Sequence, residues 1–72
     1  MPDMELLSVV ALTEAVPGRG LKRGQVGTVV ECLGSGAYEI EFIDDQGRTY
    51  ALEALREHQL MRLHYEPADR AA

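Results

Sequence analysis

Glu39 and Glu41 are the first residues in this chain whose spacing chemistry can use. Two positions apart on a strand, their carboxyls sit about 7 Å from each other on one face, a separation at which one acid and one base can divide the work of glycoside cleavage. That role needs a cleft that keeps water out, and the flanking residues supply none, so an exposed polar face is expected. Cys32, His58 and His64 are the other candidates, as metal ligands or as a nucleophile with its base. A structural zinc site takes four ligands in close-spaced pairs, which one Cys and two His six positions apart do not provide. Cys32 is expected as a small apolar core residue whose thiol stays protonated and slow, with both histidines on the surface. No catalytic residue, metal or cofactor is expected, and the chain reads as a non-enzyme.

Gly18, Gly20, Gly24 and Gly27 imitate a phosphate-binding loop. Such a loop lies between a strand and a helix, so that amides and the helix dipole meet the phosphate. Here a strand follows, and the glycines read as turn residues. Arg19, Lys22 and Arg23 form the one basic cluster and can meet an acidic protein or a nucleic acid. Broad nucleic-acid contact draws its free energy from cations neutralising phosphates, and a formal charge of −5 argues against it. What remains is recognition of another protein by strand addition or loop docking. The residues expected to make that contact are Arg19, Leu21, Lys22 and Arg23 in a long loop, with Val29, Glu31, Glu39 and Glu41 on the outer face of two strands.

The elements that would position them follow from the apolar pattern. Ser8 to Thr13 reads as a first strand, Val10 and Leu12 on one face, Val9 and Ala11 on the other. Residues 14–24, with one Pro and three Gly, form a loop anchored to the core by Leu21. Gln25 to Leu33 is a second strand with Glu31 outward, which turns Val30 and Cys32 inward and Val29 out; Gly27 marks a bulge or bend. After the Gly34-Ser35-Gly36 turn, Ala37 to Ile43 alternates cleanly, with Tyr38, Ile40 and Phe42 on the buried face. Asp44 to Gly47 is a turn, and Arg48 to Leu52 a fourth strand that places Tyr50 and Leu52 together. Tyr38, Phe42 and Tyr50 are expected in the core. Residues 53–59 lose the alternation and predict a short helical turn. Leu60 to Tyr65 is then a last strand with Met61 and Leu63 inward and Arg62 outward. The rival is one helix from Glu53 to His64.

This order describes an all-β fold, a small SH3-like barrel of about five antiparallel strands with a short helical turn before the last strand. Residues 1–5 are expected as a flexible N-terminus, 6–65 as the barrel and 66–72 as a disordered tail. At 72 residues the chain has room for one thin core, and a homo-oligomer is compatible with that. The composition, 46 % hydrophobic and 26 % charged, is that of a folded domain. Acids stand where a secretory signal needs positive charge, no stretch reaches the ~20 apolar residues of a membrane span, and the single cysteine suits a reducing compartment. A cytoplasmic location is expected.

The segments LKRGQVGTVVE (21–31), GAYEIEF (36–42), GRTYAL (47–52) and QLMRL (59–63) together resemble the small bacterial proteins grouped as domain of unknown function 4926, over about Leu6 to Tyr65. That resemblance implies an SH3-like β fold, a bacterial origin and no established activity. It also implies a free-standing small partner, such as an accessory subunit, adaptor, antitoxin or immunity protein. KRGQVGTVVE by itself resembles the strand-turn of KOW-type barrels in ribosomal and transcription proteins, and the barrel of nitrile hydratase β subunits. The alternative this implies is a KOW-like nucleic-acid-binding module using the basic loop, from which the acidity of the chain departs.

Overall fold

The computed structural model describes residues 4–65 and 67. Five strands form, β1 (Val9–Leu12), β2 (Val26–Gly34), β3 (Ala37–Ile43), β4 (Thr49–Arg56) and β5 (Leu60–Arg62), with a 3-10 turn at Glu57–Gln59 before the last. All neighbours are antiparallel, in one open sheet of order β4-β3-β2-β1-β5. The expected all-β class, strand number and pre-terminal helical turn are therefore present. The rival helix over Glu53 to His64 is absent, since its first four residues belong to β4 and Leu60–Arg62 form β5.

The sheet has to curl. Laid flat, β4 and β5 would stand about 19 Å apart, four strand spacings of ~4.8 Å. Arg56 and Leu60 are four residues apart, and four residues reach at most about 14 Å. The two edges are accordingly drawn together, and Leu55 of β4 joins Leu60 of β5 in one core with Val10, Leu12, Leu21, Val29, Tyr38, Ile40 and Phe42. Leu21 reaches that core from the long loop, which closes on itself through a bridge between Val16 and Leu21.

Two glycines serve different ends. Gly36 closes the β2–β3 hairpin with Ser35; both have positive φ (76° and 55°), the arrangement whose twist matches paired strands. Gly27 has an ordinary φ and is buried for lack of space. A Cβ there would stand 2.6 Å from Ile40 Cγ2 and 3.0 Å from the Glu41 carbonyl oxygen.

Several side chains face otherwise than the alternation predicts. Between Val29 and Glu31 the β2–β3 register shifts, so Val30 is an extra residue. Glu31 keeps its outward place, but Val29 turns in opposite Ile40 and is 0 % exposed, while Val30 is partly exposed. Cys32 lies on the inner side opposite Tyr38, yet at the rim, where it is exposed and its Sγ approaches the Met4 carbonyl at 3.7 Å. A second shift between Phe42 and Ile43 makes Tyr50 the extra residue and parts it from Leu52. Tyr50 is half exposed rather than core. Its ring leans on Phe42 at 6.1 Å and its hydroxyl accepts from Gln25 Nε2 at 2.8 Å. β4 also runs four residues beyond Leu52, and the helical turn shrinks to 57–59. In β5 the register Ala11↔Met61 and Leu12↔Leu60 gives the core position to Leu60 and turns Met61 outward.

Candidate docking face

The residues expected to meet a partner divide into two groups. Leu21 and Val29 are core residues and unavailable to a partner. Arg19 reaches from the loop to Glu53, Nε to Oε2 at 3.1 Å. Glu53 lies on the inner side of β4 opposite Ile40, and its side chain is only 17 % exposed. The arginine thus pairs with an acid at a core-facing position on an edge strand, while its own side chain stays 62 % exposed, so that water screens the pair. Lys22 and Arg23 are exposed, and the Lys22 N–H donates to Gln25 Oε1.

Glu31, Glu39 and Glu41 do come together. Glu31 stands directly opposite Glu39 across β2 and β3, and Glu41 is the next outward residue on β3. Like charges facing across a ladder repel. None of the three forms an ion pair among the described residues; the one bond recorded to them is Thr49 Oγ1 donating to Glu41 Oε2 at 2.5 Å.

Beside this acidic row lies a feature that the sequence conceals. Paired residues in antiparallel strands share a face, so Met61 of β5, Ala11 of β1 and Val26 of β2 form one outward row. Continuing the Thr28↔Glu41 register by two residues brings Ile43 of β3 into the same row. Met61, Val26 and Ile43 are 55, 48 and 43 % exposed, while Ala11 is covered by its neighbours. The next row carries Leu63, Val9, Thr28, Glu41 and Leu52, of which Leu52 is also exposed. The outer face therefore presents an apolar band across four strands, bordered on one side by carboxylates. The only part of this legible in the sequence was the apolarity of Val9 and Ala11 on the second face of β1.

A cleft of about 570 Å³ opens where β1 and β5 diverge beyond the Leu63 N–H to Val9 carbonyl bond, lined among others by Leu6, Leu7, Ser8, His64 and Tyr65. Leu7 is 72 % exposed at φ 70°, a conformation that side chains other than Gly rarely hold. Ser8, His64 and Glu5 share this cleft, but Ser8 Oγ accepts from the Glu5 N–H at 3.2 Å and makes no bond to His64. Nucleophilic relay requires that contact. The cleft encloses neither Glu39 nor His58. Among the described residues no group of three or more His, Cys, Asp or Glu is placed to hold a metal, and no helix is long and apolar enough to cross a membrane.

A family model described as Domain of unknown function (DUF4926) matches residues 6–62, well over half of the chain. No curated protein and no solved structure matches it.

Proposed function

This chain belongs to the family described as Domain of unknown function (DUF4926), and we propose that within it the chain serves as a non-catalytic protein-binding module, an accessory subunit, adaptor or antitoxin-like partner. The observation that carries this reading is the uncovered apolar band of Met61, Val26, Ile43 and Leu52 on the outer face. Uncovered apolar patches of this kind mark contact surfaces. The curled sheet, with its edges joined by the 3-10 turn, supports reading the fold as an SH3-like barrel, and the bacterial, cytoplasmic setting is proposed from the sequence alone. The test is affinity isolation of the full chain from its native lysate beside a Val26→Asp/Leu52→Asp variant that melts like the parent. One stoichiometric protein held by the parent and lost by the variant supports the reading. Recovery of the chain alone, or equal retention by the variant, removes it.

A second reading, a KOW-like nucleic-acid module, rests on Lys22 and Arg23, which are exposed and form no ion pair among the described residues. Retardation of RNA that weakens steeply with salt and disappears in Lys22→Ala/Arg23→Ala would favour it over the first.

A further inference from the structure

We propose that the outer face takes a basic amphipathic segment of a partner protein, a deepening that rests on the protein-binding reading above. The apolar row from Met61 to Ile43 runs around four strands of a curled sheet, so one straight segment lies only on neighbouring strands; Val26 of β2, Ile43 of β3 and Leu52 of β4 stand on three successive strands, about 10 Å at ~4.8 Å per spacing, which is the length of roughly seven helical residues. A helix laid across them with apolar side chains at i, i+4 and i+7 would cover Val26, Ile43 and Leu52 with one stripe. The flank of that helix would pass over the side of the face where Glu31, Glu39 and Glu41 stand. Lysine and arginine side chains are long enough to reach from the flank of a seated helix to a row of carboxylates beside it.

Charge decides what kind of segment fits. Among outward-facing residues of the described strands there are three glutamates and one arginine, Arg56, whose Nη1 donates to the Ser35 carbonyl at 2.9 Å. Among the described residues the glutamates pair with no cation, and Glu31 opposes Glu39 directly. Cations from a partner would relieve that repulsion while the apolar rows close, so attraction and burial act on the same segment. A second copy of the chain also carries −5, and its approach is opposed at long range, where that of a basic segment is favoured.

The experiment uses the full ¹⁵N-labelled chain and three synthetic peptides of about 14 residues with helical Leu spacing, their polar positions filled by Lys, by Gln or by Glu. The expected result is that the Lys peptide shifts the amides of Val26, Ile43 and Leu52, and that its affinity falls about tenfold or more in Glu31→Lys/Glu39→Lys and also falls as salt is added. The Glu peptide should leave those amides in place. If the Gln peptide binds the same face as well as the Lys peptide, and charge reversal changes nothing, the basic partner is wrong while the docking face survives. If no peptide moves these amides, both readings fall. A dimer seen by sedimentation without peptide, and broken by Val26→Asp, would assign the face to a second copy instead. Each substituted side chain is solvent-exposed or half-exposed, and thermal melts of the variants confirm that a lost signal is not lost folding.

Discussion

Replacing Gly27 by alanine tests the packing argument at its tightest point. An added methyl has two favourable consequences in general. It lowers the entropy of the unfolded chain, by about 0.4–1 kcal/mol, and buries apolar area, about 0.8 kcal/mol for one carbon. Here both are opposed by space already filled. The new Cβ would sit 2.6 Å from Ile40 Cγ2, 3.0 Å from the Glu41 carbonyl oxygen and 3.1 Å from Phe42 Cδ2. Ile40 and Phe42 are fully buried, and the carbonyl belongs to the β3 backbone, so none can retreat without moving the sheet. Overpacking of this kind costs about 1–3 kcal/mol net, a large share of the ~3–5 kcal/mol that so small a core supplies. In urea the midpoint should fall by about 1–3 M at an m-value of ~1 kcal/mol/M, and each kcal/mol should lower Tm by about 4–8 °C. Adding Ile40→Leu, which removes the offending Cγ2, should restore part of the loss, a coupling expected only for touching groups. A Gly27→Ala protein as stable as the parent, or more so, would refute the claim that this glycine exists for close strand approach.

Leu7→Gly should leave stability within about 1 kcal/mol of the parent or raise it, because relief of the left-handed strain offsets glycine's entropy; a larger loss in a thermal melt would mean that Leu7 has an internal role its exposure conceals. Arg19→Ala should cost less than about 1 kcal/mol, and less still in high salt, whereas Leu21→Ala should cost about 2–5 kcal/mol, so chemical denaturation of the two variants shows which residue pins the loop. Asp44 accepts the Arg48 and Gln46 N–H groups at 2.9 Å each, and these bonds, that of Arg48 first, hold its carboxyl below the usual carboxylate range. A depressed folded value means that the stability linked to this group is present above its unfolded pKa and lost as pH falls through the folded one; a carbon-detected NMR titration placing the Asp44 midpoint at or above the ordinary range would contradict it.

Local rules were enough wherever pairing is local. Ala37–Ile43 was legible to its end residues because Tyr38, Ile40 and Phe42 alternate without interruption between two turn signals. Leu21 was identifiable as the anchor because it is the one leucine amid loop chemistry. Val29 was placed on the wrong face for a definite reason. Alternation counted back from Glu31 assumes one residue per pleat, and the extra residue Val30 breaks that count with no Gly or Pro to announce it. Glu53 ended the fourth strand too early on paper, since a core-facing glutamate makes sense only once Arg19, far away in sequence, is known to meet it. Met61 was misplaced because its orientation depends on β1, at the opposite end of the chain. The candidate face was hidden for the same cause: its rows exist only after the strands are put in spatial order.

Strand β1 lies inside the sheet although it comes first, and one of its two neighbours, β5, comes last. In a chain folded only as far as Arg56, the β2–β3–β4 meander holds all its own partners while Leu12 still awaits Leu60. In that state β1 offers a bare, greasy flank to any passing strand. Closure of so distant a pair should also limit the refolding rate, since its loop entropy is lost before the contact is gained. A nascent chain cut short before Leu60 would therefore be the aggregation-prone species, and the three residues Leu60–Arg62 act as the latch that retires it.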